Sequence, residues 1–246
     1  MRGVSVSVEY IPSESSSISS MEMEILSQGL RKAKAASIWT SDLGAIEKFA
    51  KEQSAAKGDF PGPCPVIYNG NVGDVKEAIS RGATAIVLDA SSVCSFEANS
   101  VDIICKVESV EEIHQAVESG FEYAFLISGS GCSDDELRTM LNAIPKTAVV
   151  VASLPSMQVG SQEIARGKEL STISSESAKV GALLIDEACV GDSEDLKYTA
   201  FVVENINKKS SSTFKMTGLT GSANGHFGSG VSGGLPSSKW RRMEHR

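Results

Sequence analysis

Two side chains of this sequence combine a reactive group with a position at the end of a predicted β-strand. Glu9 follows the apolar run 4–8, and Lys106 lies near the end of the run 103–107. A carboxylate and an amine at one end of a parallel sheet could act as an acid/base pair, and the amine could form a Schiff base with a carbonyl compound. The alternative is an inward salt bridge that fills the space between the strands. Glu9 and Lys106 are therefore the candidate catalytic residues.

Other residues whose side chains or backbone could bind a ligand or a metal are assigned structural roles. The Gly129-Ser-Gly131 turn could hold an anion through its backbone, but a helix start at Ser133-Asp-Asp-Glu136 follows directly, so we interpret the turn as a loop before an N-cap. His114 lies in a helical segment and is predicted at the surface. No spacing of Cys and His matches a zinc site, so neither a metal nor another cofactor is predicted. Trp39 ends a predicted strand, and we expect it to pack in the core.

The net charge is unevenly distributed along the 246 residues. Of the formal charge of −8, residues 207–246 carry seven Lys or Arg against one acidic residue, Glu244, which leaves about −14 for residues 1–206. Such an acidic domain should repel nucleic acid and anionic membranes. The cluster Lys239-Trp-Arg-Arg242 allows a weak contact with a polyanion, although a solvated tail is the simpler interpretation.

Cysteine usage and hydropathy point to the compartment. The five cysteines are odd in number, widely spaced and form no CxxC pair, so we expect reduced core residues in a reducing compartment. No stretch reaches the 18 or more apolar residues of a membrane span. The serine-rich segments and the divergent barrel described below lead us to predict the chloroplast stroma, with the cytoplasm as the alternative.

Eight short apolar runs, each followed by a turn and a helical segment, predict a (β/α)8 TIM barrel. The runs are 4–8, 36–39, 65–68, 85–88, 103–107, 124–127, 148–151 and 182–185. Ser109 and Ser133 begin S-x-x-E capping boxes, and Gly82 is predicted to end a helix that starts near Asp74. We expect the barrel to span residues 1–206 and residues 207–246 to form a disordered, basic Ser/Gly-rich tail.

The order of these segments resembles the indole-3-glycerol-phosphate synthase family of ribulose-phosphate-binding barrels. The resemblance rests on the segments Val6-Ser-Val-Glu9 with Pro12-Ser13, Cys64-Pro-Val-Ile-Tyr-Asn-Gly-Asn-Val72, Gly82-Ala-Thr-Ala-Ile-Val-Leu-Asp89, Ile103-Ile-Cys-Lys-Val-Glu-Ser-Val-Glu-Glu112 and Lys179-Val-Gly-Ala-Leu-Leu-Ile-Asp-Glu187. It covers most of residues 3–204. It implies a carboxylate and a lysine on strand one, a lysine on strand three and a carboxylate on strand five, all at the C-terminal mouth.

The sequence departs from that pattern at most of the chemical positions. Glu9 matches the strand-one carboxylate, but the lysine positions of strands one and three fall on Ile11 and Asn69, and the strand-five carboxylate falls on Lys106. Isoleucine cannot donate a proton, and an amide does not titrate. The resemblance therefore implies the barrel without most of its catalytic groups.

The phosphate cradle implied by the resemblance is also altered. The family places glycine turns after strands seven and eight, where this chain has Ala152-Ser-Leu-Pro155 and Asp186-Glu187. Proline lacks an N–H, and two carboxylates repel a dianion, so a phosphosugar is not expected to bind. We therefore predict a catalytically degenerate barrel that serves as a protein-binding or structural subunit. The alternative is an active synthase or lyase, or an altered carbonyl or phosphosugar chemistry that uses Glu9 and Lys106.

Overall fold

The computed structural model describes residues 4–12, 19–96, 101–129, 132–156, 159–189 and 193–207. Within this part of the chain it contains eight strands: β1 Ser5–Tyr10, β2 Ile38–Thr40, β3 Val66–Tyr68, β4 Ala85–Asp89, β5 Asp102–Val107, β6 Ala124–Ser128, β7 Val149–Pro155 and β8 Val180–Cys189. All adjacent strands pair in parallel, and β8 pairs with β1 to close the barrel. The predicted TIM barrel is confirmed.

Helices alternate with the strands along the chain. They are α1 Ser20–Lys32, α2 Leu43–Ala55, α3 Val75–Ser80 after a short 3₁₀ turn, α4 Ala90–Val93, α5 Val110–Glu118, α6 Asp134–Ala143, α7 Gly160–Thr172 and α8 Ser193–Asn207. The predicted tail, residues 207–246, lies outside the described residues except for Asn207 at the end of α8. The disorder of that tail and the predicted boundary at residue 206 stay predictions.

All eight predicted strands are present, and three of them extend beyond their apolar runs by two or more residues. β1 continues through Tyr10 and therefore contains Glu9, β7 continues to Pro155, and β8 runs from Val180 to Cys189. The additional residues include polar side chains that interrupt the apolar pattern while the backbone keeps its pairing. The segments 152–155 and 186–187, interpreted above as turns, thus belong to strands.

Two separate apolar clusters result from the alternation of side chains along the strands. Residues such as Val6, Ile86 and Phe125 point outward and form the large core between the barrel and its helices. Trp39, Ile67, Ile104 and other inward residues form the smaller cluster inside the barrel. Trp39 is 1% exposed, which confirms its predicted place in the core.

Side-chain caps are present at the starts of α1, α2, α5 and α6. The Ser133 hydroxyl accepts from Glu136 N and the Glu136 carboxylate accepts from Ser133 N, which is the predicted capping box. At α5 the box is only half formed, because Glu112 accepts from Glu108 N instead of the N-cap residue. At α1 the N-cap is Ser19, which forms a complete capping box with Glu22.

A buried polar network joins α1 to α2. Arg31 Nη2 contacts Glu52 Oε1 at 2.7 Å, and Ser27 Oγ donates to the other oxygen of Glu52 at 2.5 Å. Arg31 Nη1 also donates to the carbonyl of Pro61 at 2.8 Å. The carboxylate and the guanidinium are thus paired and hydrogen-bonded, as buried charges in proteins usually are. The network holds two helices together on the outside of the barrel.

The cysteines divide between two environments. Cys64 and Cys105 are buried, and burial raises the pKa of their thiols to about 11 and about 12. Cys94 is exposed, so the expectation of core cysteines is wrong for this residue, which is the C-cap directly after the short helix α4. All four cysteines whose side chains are described are free thiols, the fourth being Cys132.

Candidate functional site

Glu9 lies at the C-terminal end of the barrel, on β1, and its carboxylate has two donors. Asn69, directly after β3, donates from Nδ2 to Glu9 Oε1 at 2.9 Å, and the backbone N–H of Glu187 donates to Oε2 at 3.2 Å. Asn69 is itself placed by the bond from its N–H to the carbonyl of Thr40 at 2.9 Å. Both donors fix the direction of the Glu9 side chain.

An irregularity in β8 supplies one of these donors. While β1 advances from Val8 to Tyr10, its partner strand advances from Ile185 to Cys189, so β8 carries extra residues at this point. Glu187, within this bulge, has a φ of 50°, in the left-handed region that is uncommon for residues other than glycine. The bulge turns the Glu187 N–H toward Glu9, while the Glu187 side chain is exposed.

Asp186, next to this bulge, is the most perturbed acidic group at the mouth. Burial, together with the charge of Glu9, raises the pKa of Asp186 from 3.8 to about 7. A hydrogen bond with Ser153 on β7 and the positive charge of Lys106 oppose the rise, and the charge of Glu187 adds to it. Asp186 is therefore a carboxyl group that exchanges a proton near neutral pH.

Lys106, on β5, does not pair with Glu9. Its Nζ contacts Glu108 Oε1 at 3.3 Å, and its side chain is 47% exposed. Within the part of the chain that the structure describes, no ion pair joins Lys106 to Glu9, so the inward salt bridge considered as an alternative does not form. The physical reason is that Glu108, directly after the end of β5, offers Lys106 a solvent-accessible partner. Lys106 contributes a positive charge at the rim of the mouth.

The Gly129 turn uses its first backbone donor within the fold. The N–H of Gly129 donates to the carbonyl of Ser153 at 2.7 Å, and a Cβ at Gly129 would collide with that carbonyl. This glycine is required for the close approach of β6 to β7, and its N–H is not free to bind an anion. Ser130 and Gly131 lie outside the described residues. The interpretation of Gly129 as part of a structural loop agrees with this contact.

Sequence reasoning found Glu9 and Lys106 but missed Asp186 and Ser153 as members of one cluster. Asp186 was identified only as a group that repels phosphate, because an acid after an apolar run resembles a turn residue. The signal that was available is the alternation Ala182, Leu184, Asp186, which places Asp186 on the inner side of β8. What the cluster can do chemically is hold the Glu9 side chain in a fixed direction and exchange a proton at Asp186.

No group of three or more His, Cys, Asp or Glu side chains suited to a metal occurs among the described residues. His114 is exposed on α5, as predicted. None of the described helices is both long and apolar enough to cross a membrane. The absence of a metal or another cofactor stays a prediction.

Comparisons with known proteins locate the chain at the level of architecture. No protein-family model matches it, and a comparison with curated proteins finds no match. Thiamine phosphate pyrophosphorylase from Pyrococcus furiosus has a TM-score of 0.52 and 15% identity, with 81% of this chain and 96% of that chain covered. Ligand-free tryptophan synthase from M. tuberculosis has a TM-score of 0.55 and 10% identity, with 84% and 92% covered.

A third solved structure is KDPG aldolase from Legionella pneumophila with pyruvate captured as a covalent carbinolamine intermediate. It has a TM-score of 0.53 and 11% identity, and 84% of this chain and 94% of that chain are covered. The likeness is one of fold. At these identities the neighbours show a TIM barrel, and they do not single out the indole-3-glycerol-phosphate synthase family, which stays a prediction for this chain.

Proposed function

We propose that this chain is a barrel of the indole-3-glycerol-phosphate synthase type that has lost its ring-closing chemistry and serves as a protein-binding or structural subunit. The observation that carries the proposal is the state of Glu9. Its carboxylate is held by the side-chain amide of Asn69, at the position where the resemblance calls for a lysine. An amide can hold a carboxylate in place but cannot protonate a substrate.

The rest of the mouth supports the same proposal. Lys106 stands where the resemblance calls for a carboxylate, and it is turned to Glu108 at the rim. The side chains of Asp186 and Glu187 occupy the end of β8, where a phosphate would need backbone donors free of negative charge. The backbone N–H of Glu187, within the bulge, is already bonded to Glu9.

Growth rescue tests this proposal directly. A tryptophan auxotroph that lacks indole-3-glycerol-phosphate synthase is transformed with this chain or with its Glu9→Gln variant. We expect no rescue from soluble, folded protein, and no turnover of the carboxyphenylamino ribulose phosphate in vitro. Rescue by the wild-type chain that the Glu9→Gln substitution abolishes would overturn the proposal.

A second candidate function, proton transfer on a neutral carbonyl compound, is favoured by the raised pKa of Asp186. Asp186, whose pKa is raised to about 7, lies near a second carboxyl group, Glu9, and is therefore suited to exchange a proton with a bound substrate. A test is solvent deuterium exchange at the α-carbon of small ketones. A rate of exchange that changes with pH as Asp186 ionises, and that is lost in Asp186→Asn, would support this candidate. If no exchange occurs, the proposed protein-binding or structural role stands alone.

Lys106 provides a covalent version of the same candidate. Its amine would add to a carbonyl, lose water to give an imine, and be trapped when borohydride delivers hydride to the C=N bond. The KDPG aldolase neighbour holds pyruvate as a carbinolamine. Trapping with pyruvate, followed by mass spectrometry, should give no adduct on Lys106 if this lysine only pairs with Glu108. The Lys106→Met variant controls for adducts on other lysines.

A further inference from the structure

A cavity of about 880 Å³ opens at the N-terminal end of the barrel, opposite the carboxyl cluster. It exists because the first inward residue of several strands is small: Ala85 on β4, Ala124 on β6 and Ala182 on β8. Barrel interiors are normally filled by bulky branched side chains in every layer. Here the small residues leave the lowest layer of the barrel unfilled.

The cavity and the carboxyl mouth are separated by the middle layer of the barrel. Trp39, Ile67, Ile104 and Val151 line the inner end of the cavity. None of the mouth residues Glu9, Asn69, Lys106, Ser153 and Asp186 belongs to its lining. A ligand in this cavity would therefore be out of reach of the groups considered for catalysis.

A short chain of hydrogen bonds ends at the cavity wall. The Trp39 indole N–H donates to Ser37 Oγ at 2.8 Å, and Ser37 Oγ donates to Ser7 Oγ at 2.7 Å. The Ser7 hydroxyl accepts this bond and, among the described residues, has no acceptor for its own proton. Ser7 is 4% exposed and lines the cavity. A buried hydroxyl with a free proton is a binding group for an acceptor oxygen.

The remaining lining is mainly apolar and partly aromatic. Phe121 and Tyr123 stand edge to face with ring centroids 5.7 Å apart, and Phe96 also lines the space. The described lining contains one carboxylate, Asp102, which is exposed at the start of β5, and no Lys, Arg or His. Such a lining disfavours phosphates and carboxylates and favours a flat, uncharged molecule.

A peptide segment fits this space less well than a small molecule. Each peptide unit brings an N–H and a C=O that need partners once they are buried. Trp39 and Ser37 already use the hydrogen bonds described above, which leaves the Ser7 proton as the directed polar group at the inner end. Pockets of about 300–1,000 Å³ with an apolar lining and few convergent polar groups are typical small-molecule sites.

We propose that the N-terminal end of this barrel binds a small, uncharged, largely apolar molecule that carries an acceptor oxygen, such as an aryl or alkyl ketone, with that oxygen bonded to Ser7. This site lies beyond the function proposed above and does not depend on it. Loss of the synthase reaction and possession of this cavity are separate properties, because they involve opposite ends of the barrel. Growth rescue and probe binding therefore fail or succeed independently.

The test uses Prodan, an uncharged naphthalene ketone whose emission shifts to the blue in apolar surroundings. We expect saturable one-to-one binding to the full chain. Ala182→Leu and Ala85→Leu, on different strands, each fill the cavity and should weaken binding at least about tenfold. Ser7→Ala should weaken it about fivefold, the effect of one hydrogen bond, and shift the emission of bound probe further to the blue.

Ser153→Ala is the matched serine control at the other end of the barrel and should bind Prodan like the wild type. Circular dichroism and thermal melting show whether Ala182→Leu or Ala85→Leu fails to fold. If one of them does, the binding measured with the other variant tests the proposal. Equal affinity in a folded filled variant, loss of binding only in Ser153→Ala, or no saturable binding would each overturn the proposal. Binding that weakens as the protein associates would show that a second copy occupies the cavity, and would also overturn it.

Discussion

The two ends of this barrel are built from the same eight strands but have opposite character. At the C-terminal end, Glu9, Asp186 and Lys106 bring charged groups together, and burial with mutual repulsion raises the pKa of Asp186 to about 7. At the N-terminal end, alanines and serines leave an apolar cavity of about 880 Å³. The C-terminal end thus brings ionisable side chains together, and the N-terminal end encloses an apolar space whose described lining contains a single carboxylate. The middle layer, with Trp39, decides whether the two ends act separately.

The largest effect should come from removing the residue between the two ends. Trp39→Ala deletes a side chain that is 1% exposed and should lower the free energy of unfolding by about 3–5 kcal/mol. Denaturant titration followed by circular dichroism measures this change. Trp39→Phe, which keeps most of the volume, should lose clearly less. A loss below about 1 kcal/mol for Trp39→Ala would mean that the barrel interior relaxes to fill the volume left by the indole ring. The middle layer would then not form a rigid separation between the cavity and the carboxyl mouth.

A pair of identical substitutions tests whether the N-terminal end is empty. Ala152→Leu introduces a larger side chain into the filled layer between barrel and helices, where Ala152 is 0% exposed, and should lower the free energy of unfolding by about 1–3 kcal/mol. Ala85→Leu points into the cavity and should change it by less than about 1 kcal/mol in either direction. Equal losses from the two variants, measured by urea titration, would contradict the cavity.

A serine pair compares hydrogen bonding at the two ends. Ser37→Ala leaves the buried indole N–H of Trp39 without an acceptor and should lower the free energy of unfolding by about 1–3 kcal/mol. Ser153→Ala acts at the half-buried mouth, where water can replace the hydroxyl, and should lower it by less than about 1 kcal/mol. Thermal melts of both variants give the comparison. The reverse order would place the stronger network at the mouth.

The smallest effect concerns pH. Because the pKa of Asp186 is raised from 3.8 to about 7 in the folded chain, its contribution is fully present below about pH 4 and is lost as the pH rises through 7. Asp186→Asn should remove this loss, so the stability of the variant relative to the wild type should rise by roughly 1 kcal/mol between about pH 4 and about pH 8, a value already reduced for solvent screening. Glu9→Gln should lower the pKa of Asp186, which carboxyl NMR titration would detect. A wild-type pKa near 4 would contradict the cluster.

The sequence allowed the fold to be predicted because its signals are local. Apolar runs mark all eight strands, and Ser133 with Glu136 marks the start of α6. The strand ends were less clear: Ser153 and Asp186 interrupt the apolar pattern, yet the backbone pairing of β7 and β8 continues through them. Pairing between strands depends on tertiary closure, which a single run of residues does not show.

The candidate site was predicted only in part because its contacts are distant in sequence. Glu9 meets Asn69 across 60 positions and the N–H of Glu187 across 178 positions. The second contact also requires the β8 bulge, for which the sequence carries no glycine as a signal. The cavity left no signal either, since an alanine that lines an empty space and one packed in a core, such as Ala85 and Ala152, look alike in the sequence.

The position of Trp39 makes the chain its own optical reporter. It is one of two tryptophans, and the other, Trp240, lies outside the described residues, so Trp240→Phe would leave a single emitter inside the barrel. Trp39 lines the cavity and is in register with Glu9 on the neighbouring strand. Its emission should therefore respond both to a ligand in the cavity and to protonation of Asp186 in the carboxyl cluster, without any attached dye.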